Sequence, residues 1–275
     1  MVIIFFGTTF AYRKTKVRLS DFIGENKLMD NTKYIALSRQ MALWKQMDMV
    51  SNNMANMNTG GYKQDNAVFT SYLVRTPEAT GFGKIPVYFT QDFGQYQNFE
   101  EGAIVETGNT FDLALKGDVF FAIETSQGEL YTKKGNFTLD ADGKLVTSDG
   151  QTVLSENNEP LFFAPGEKDI SIGENGDVTT ENGTIGRIKT VKFADNQKLM
   201  KVADTMFRNV EGNAMIVAPQ ETKMIQGAIE KSNVNSINEM TKMINLQRSY
   251  EMVQSMIDEE HERLSNTIKT YSQMI

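Results

Sequence analysis

The single histidine, His261, sits in Asp258-Glu259-Glu260-His261-Glu262, where imidazole and carboxylates together could bind a metal or exchange protons. The spacing does not favour either. There is no second histidine, and consecutive residues on a helix point around its axis and do not converge. A Ser-His-Asp arrangement would need this same histidine, and no nucleophile-elbow sequence accompanies it. Asp140-Ala141-Asp142-Gly143 opens like a calcium loop, but the later acidic ligands are missing and Lys144 stands where an oxygen ligand belongs. A hairpin turn accounts for it better. Gly81-Phe82-Gly83-Lys84 lacks the spacing of a phosphate loop and the Ser/Thr that follows its lysine, so it reads as a flexible loop. No cysteine is present, which removes disulfides, thiol catalysis and zinc–thiolate sites. Among 35 acidic residues some pair of carboxylates is always available, and nothing singles one out. The expectation is no enzyme, no catalytic residue, no metal and no cofactor.

The bulk properties narrow the field further. With 40% hydrophobic and 23% charged residues in 275, the chain can bury an ordinary core in one or two domains. Its net charge is −7 and its Lys and Arg are scattered, which argues against nucleic acid as a partner. No run approaches the roughly 20 apolar residues needed to cross a bilayer, so no membrane insertion is expected. Val2 to Phe6 is too short for a signal-peptide core and has no Lys or Arg before it, so no cleaved secretory signal is expected.

The elements fall into three zones. From Asp30 to about Met57, Tyr34, Leu37, Met41 and Trp44 recur at helical steps, followed by Met47, Val50, Met54 and Met57. An extra three-residue step separates the two sets and reads as a register slip in a coiled-coil seam. Asp30 or Asn31 can cap this helix, and Asn58-Thr59-Gly60-Gly61 ends it. Between about Asn66 and Gly212, short apolar runs such as Phe120-Phe121-Ala122-Ile123, Leu130-Tyr131-Thr132, Phe137-Thr138-Leu139 and Leu145-Val146-Thr147 alternate with glycine turns. Asp142-Gly143, Asp149-Gly150 and Asn182-Gly183 supply those turns, and the pattern predicts an all-β domain with mostly antiparallel neighbours. After Pro219, Ser236-Ile237-Asn238-Glu239 reads as a capping box. One stripe follows it: Met240, Met243, Leu246, Tyr250, Val253, Ile257, Leu264, Ile268 and Tyr271.

The expected fold class is therefore α+β, with paired, coiled-coil-like N- and C-terminal helices and an inserted all-β domain. Sixteen methionines suit either ordinary core filling or a surface that must fit several different neighbours. The asparagine-rich Ser51 to Asn58 either ends the helix or makes polar bonds to another chain.

Three blocks carry a resemblance. Val50-Ser51-Asn52-Asn53-Met54-Ala55-Asn56-Met57-Asn58-Thr59-Gly60-Gly61-Tyr62-Lys63 resembles the amino-terminal signature of flagellar rod and hook proteins. Gln226-Gly227-Ala228-Ile229-Glu230-Lys231-Ser232-Asn233-Val234-Asn235, then Glu239-Met240-Thr241 and Gln247-Arg248-Ser249-Tyr250-Glu251, resembles that family's carboxyl-terminal block. Thr107 to Gly117 looks like its lead-in to the β domain, with Thr110 in place of the usual proline and Asp118-Val119 where a glycine-aromatic pair is commoner. Asn66 to Arg75 and Leu161 to Gly166 look most like proximal-rod members of alphaproteobacteria.

The resemblance implies a division into 1–28 (an extension), 29–62 (amino-terminal rod helix), 63–215 (β domain with connecting loops) and 216–275 (carboxyl-terminal helix region pairing with 29–62). It implies assembly residues: Leu37, Met41, Trp44, Met240, Leu246, Tyr250 and Val253 on the helices, with Asn52, Asn53, Asn56, Asn58, Gly60, Gly61, Tyr62, Asn233 and Val234 in the signatures. The implied partners are proximal and distal rod subunits, copies of itself and the flagellar type III export apparatus, with no small-molecule substrate. The implied location is the basal body, spanning the periplasm, where the terminal helices would form an inner tube and the β domain an outer layer. Residues 1–28 have no counterpart in the family. Gly24-Glu25 can be encoded as a ribosome-binding sequence, which places the expected translation start at Met29; a lineage-specific extension is the alternative. Two other readings stay open, a distal-rod or hook-like subunit and a secreted β-domain enzyme or glycan binder on a coiled-coil stalk.

Overall fold

Helical periodicity at both ends and strand periodicity between them are realised in a computed structural model that describes residues 19–75, 86–167, 169–210, 215–216 and 221–273. Val2 to Phe6 and Gly81 to Lys84 lie outside the described residues. The amino-terminal helix α1 runs Leu19–Ala55, eleven residues earlier than the Asp30 start read from the sequence. Asp30 and Asn31 are thus inside the helix and do not cap it. The stretch before them has no proline, and a lone Gly24 is tolerated within a helix. The carboxyl-terminal helix α2 runs Ser236–Ser272, spanning roughly 55 Å at the standard rise. The expected α+β class, two paired terminal helices with β-sheets between them in the chain, is what forms. No described helix is long and apolar enough to cross a membrane.

The chain divides into two units. The first comprises the residues up to Met41, Thr70–Gln91 and those from Val253; the second comprises Ala42–Phe69 and Asp92–Met252. In the first, Gln40 Nε2 donates to Gln254 Oε1 at 2.6 Å. In the second, Asn53 Nδ2 donates to Glu239 Oε2 at 3.1 Å.

Strands β1 (Asp65–Arg75) and β2 (Pro86–Gln97) form a two-stranded sheet. β3 (Ile104–Glu106), β4 (Leu113–Leu115), β5 (Val119–Thr125), β6 (Gly128–Thr132), β7 (Phe137–Leu139), β8 (Leu145–Thr147) and β9 (Thr152–Val153) follow. The largest sheet has the order Leu199–Ala203, Met206–Asn209, β6, β5, β9, β8, β7, with Thr190–Lys192 also pairing β5. Every described pairing for which a register is fixed is antiparallel, as the sequence pattern led us to expect.

β5 explains the unbroken apolar run. Val119, Phe121 and Ile123 face one core with Leu113, Phe137, Leu145 and Val153, while Phe120 and Ala122 face another with Phe99, Tyr131, Val191 and Phe207. A central strand covered on both sides needs apolar residues on both. Aromatic edges lock the two layers, Phe121 on Phe137 at 5.0 Å and Tyr131 on Phe193 at 4.9 Å between ring centroids. The calcium-like sequence is the β7–β8 turn. Asp140 Oδ1 accepts from the amides of Asp142 and Lys144, and Gly143 is left-handed at φ 80°.

After the β core the chain returns beside its own beginning. Met224–Gln226 pairs with β4, and Ala228–Glu230 pairs with β3. This return brings the two signature blocks together.

Candidate assembly site

Gly61 is the hinge of the first signature. Its φ of +69° needs glycine, and a Cβ there would stand 2.4 Å from the Lys134 amide nitrogen. Its amide donates to the Glu230 carbonyl at 2.8 Å, which fixes the turn after α1 to the returning strand. The next two side chains then point inward, and Tyr62 and Lys63 are both fully buried.

The Tyr62 hydroxyl donates to Asn53 Oδ1 at 3.1 Å, and Asn53 is itself buried at the last turn of α1. Asn53 Oδ1 also accepts from the Asp65 amide at 3.0 Å, and its Nδ2 donates to the Asp65 carbonyl at 2.9 Å and to Glu239 Oε2. One amide thereby has all four of its hydrogen-bonding positions filled. Glu239 is fully buried, and its Oε1 accepts from Gln64 Nε2 at 2.8 Å and from Lys242 Nζ at 2.5 Å. Lys201 Nζ reaches Asp65 Oδ2 at 2.6 Å and sits 4.4 Å over the Tyr62 ring. Burial, and then the charge of Asp65, raise the Tyr62 pKa above its ordinary value.

Lys63 closes a second buried group. Its Nζ donates to Glu230 Oε1 and to the Glu100 carbonyl, both at 2.7 Å. The amide of Gly102 adds a bond to the same Glu230 oxygen at 2.9 Å. The other oxygen, Oε2, has Lys133 Nζ at 3.6 Å and no hydrogen bond. Burial lowers the Lys133 pKa, against the pull of Glu230. Asn233 ties in the rest of the second block, accepting from the Gln64 amide at 2.9 Å and donating to the Asn98 carbonyl at 2.8 Å.

The expected assembly residues thus separate into three groups. Asn53, Gly61 and Tyr62 are buried within the chain, so the reading of Asn53 as a bond to another chain is corrected: its amide is used up by Asp65, Tyr62 and Glu239. Asn56, Gly60, Asn233, Val234, Leu246, Tyr250 and Val253 are half-buried. Asn52, Asn58, Leu37, Met41, Trp44 and Met240 are exposed.

The first half of the seam read on α1 is overturned, whereas in its second half Val50 is buried, Met47 and Met54 are half-buried and Met57 is exposed. Tyr34, Leu37, Met41 and Trp44 are 48–63% exposed, whereas Ala36, Ala42, Leu43, Met49 and Val50 are buried. At 3.6 residues per turn the two sets lie on opposite sides of one helix. Ala36, Leu43 and Val50 repeat every seven residues and form the true inward face. The stripe on α2 fares better, since Met243, Leu246, Tyr250, Val253, Ile257 and Leu264 are half-buried, although Met240, Ile268 and Tyr271 are exposed. In the second unit, Met49, Val50 and Leu246 line a hollow of about 330 Å³ beside Asn53 and Glu239.

The capping box is also corrected. Asn235 caps α2 through Oδ1, accepting from the amides of Ile237 and Asn238, both at 3.1 Å. Glu239 is drawn to Asn53 and Gln64 and does not reach back. Lys63, Asp65, Lys133, Glu230 and Glu239 went unrecognised as site residues. Glu239 left one signal, an acid lying in line with the inward stripe of α2. His261 is exposed on α2, and Glu260 beside it pairs with Arg263 at 2.8 Å.

Comparison with known proteins matches the same segments. A family model for "Flagella basal body rod protein" covers residues 34–63. One for "Flagellar hook protein FlgE/F/G D1 domain" covers 114–180, and one for "Flagellar basal body rod FlgEFG protein C-terminal" covers 225–274. The chain is 37% identical to the flagellar basal-body rod protein FlgF of Caulobacter vibrioides, over 84% of this chain and 93% of that protein. It is 28% identical to FlgF of Mesorhizobium japonicum over 88% and 98%. It is 31% identical to the rod protein FlgG of Agrobacterium fabrum over 81% and 92%.

Proposed function

This chain belongs to the flagellar basal-body rod protein family, and we propose on that premise that it builds the proximal part of the rod. It is a structural subunit of the FlgF type with no enzymatic role, and its place is the flagellar basal-body rod. Membership of this family implies assembly with other axial proteins. In our reading the neighbours are proximal and distal rod subunits and further copies of this chain. The chain passes through the type III export apparatus before it joins them. Residues 29–62 and 216–275 form the inner layer of a tube spanning the periplasm, residues 63–215 form its outer layer, and the tube serves as the drive shaft for motility.

The observation that carries this reading is the exposed face of α1. The helix already spends Ala36, Leu43 and Val50 inside the chain, yet it presents Tyr34, Leu37, Met41 and Trp44 on its other side. A helix apolar on two opposite sides has a second partner to cover it. Head-to-tail contacts between identical units close into a ring or continue as a helical tube. The test is an in-frame deletion in the native organism. The expected result is non-swimming cells whose basal bodies stop short of the hook, restored by supplying the chain; swimming cells with complete rods would contradict it.

A further inference from the structure

We propose that Lys133 is a proton-operated catch in the joint between the two signature blocks, one that tightens as rising pH removes its charge. The inference goes beyond the assembly reading and does not depend on it. All the groups concerned lie within the second unit. The side chains of Lys63, Lys133 and Glu230 are each no more than 1% exposed, so two amines share one carboxylate away from water. Lys63 has three acceptors for its three N–H groups: the Phe99 carbonyl at 3.3 Å, the Glu100 carbonyl at 2.7 Å and Glu230 Oε1 at 2.7 Å. Among the described residues Lys133 has one acceptor, the Gly117 carbonyl at 2.5 Å. Glu230 Oε2 stands 3.6 Å from its Nζ, beyond hydrogen-bond length, and accepts from nothing.

With both amines protonated, the cluster sets two buried cations against one anion. Lys63 is the better supplied with acceptors, so the surplus charge falls on Lys133. Burial holds the Lys133 pKa below the ordinary 10.5. Glu230 on the returning strand pulls it back up, Lys63 after α1 pushes it down again, and the exposed Glu101 and Asp118 add upward pulls. The folded chain therefore binds this proton less firmly than the unfolded chain. The stability that follows is complete above 10.5 and is lost as pH falls through the lowered folded value. An uncharged Lys133 keeps its bond to Gly117 and no longer leaves an ammonium short of acceptors. Gly61 packs on the Lys133 backbone and bonds the Glu230 carbonyl, so the gain is felt where the first block meets the returning strand.

The test is urea unfolding of the full purified chain from about pH 7 to about pH 10, wild type beside Lys133→Met, with the Lys133 amine followed by 15N NMR. The unfolding constant of the wild type, divided by that of the variant, should fall with rising pH, by up to about tenfold per pH unit within the window. Tyr62 and Tyr131 hold their protons more firmly in the fold, which acts in the opposite sense at alkaline pH, but it does so in both proteins and cancels in the ratio. In the wild type the Lys133 Nζ resonance should titrate below the ordinary lysine value. Lys63→Met removes the competing cation and should move that titration to higher pH. A ratio that stays flat overturns the proposal, as does a Lys133 resonance that titrates at the ordinary value or ignores Lys63→Met. Should either variant fail to fold, the wild-type titration decides alone.

Discussion

Asn53 and Asp65 exchange two hydrogen bonds as neighbouring strands do, the Asp65 amide donating to Asn53 Oδ1 at 3.0 Å and Asn53 Nδ2 donating to the Asp65 carbonyl at 2.9 Å. A side-chain amide at the end of α1 thereby takes the place of a strand edge for the first residue of β1. The same amide holds Glu239 of α2, so one residue joins both helices and the β domain. Asn53→Ala strips partners from the Asp65 backbone, Tyr62 and Glu239 together. Urea unfolding of the purified chain should show a loss of about 2–4 kcal/mol, since each buried group left unpaired costs roughly 1–3 kcal/mol. A change under 1 kcal/mol would mean the joint is not as dry as its burial indicates.

The adjacent glycines of the signature have unequal roles. Gly61 is left-handed and packed on the Lys133–Lys134 backbone, while Gly60 has nothing nearer its missing Cβ than the Glu230 carbonyl at 3.4 Å. Gly61→Ala should destabilise the fold by roughly 2 kcal/mol or more, combining left-handed strain with a backbone clash. Gly60→Ala should stay within about 0.5 kcal/mol of wild type. Equal effects, read as midpoints of thermal unfolding, would contradict the geometry.

Glu230 sits between two buried ammonium groups, and those charges depend on it. Glu230→Ala leaves Lys63 and Lys133 without an acid, and breaking such a pair costs about 3–5 kcal/mol. Joining it with Lys63→Met should recover part of that loss. A double variant no more stable than Glu230→Ala would show that Lys63 is satisfied by the Phe99 and Glu100 carbonyls alone.

The two faces of α1 separate folding from assembly. Leu43 is 1% exposed and Leu37 48%. Leu43→Ala should lower stability by about 2–4 kcal/mol as a buried leucine truncation does. Leu37→Asp should leave unfolding of the isolated chain nearly unchanged yet stop swimming. The reverse pattern would restore the seam first read from the sequence.

That reversal shows where the sequence was legible. Glycine turns at Gly128, Gly143, Gly150 and Gly183 punctuate strands whose alternation already indicates an antiparallel β domain, because strand period and turn chemistry are local properties. The facing of α1 is not local. Tyr34, Leu37, Met41 and Trp44 are bulkier than Ala36 and Ala42, so apolar weight over the first turns points to the outer side, while the inner side mixes those alanines with Leu43, Met49, Val50 and Asn53. Lys63, Lys133 and Glu230 carry no periodic mark of burial, and only the fold shows that the strand Ala228–Glu230, held to the Gly61 amide, returns beside both lysines. His261 and the Asp140 turn were readable as ordinary surface features because ligand spacing is itself a local constraint.

Membership of the rod is checked by mass spectrometry of hook–basal bodies purified from the native organism. This chain is expected there with the other axial proteins, its first peptide beginning at or just after Met29. Preparations that contain the hook and the distal rod but lack this chain would contradict it, and a first peptide from upstream of Met29 would refute the start site alone.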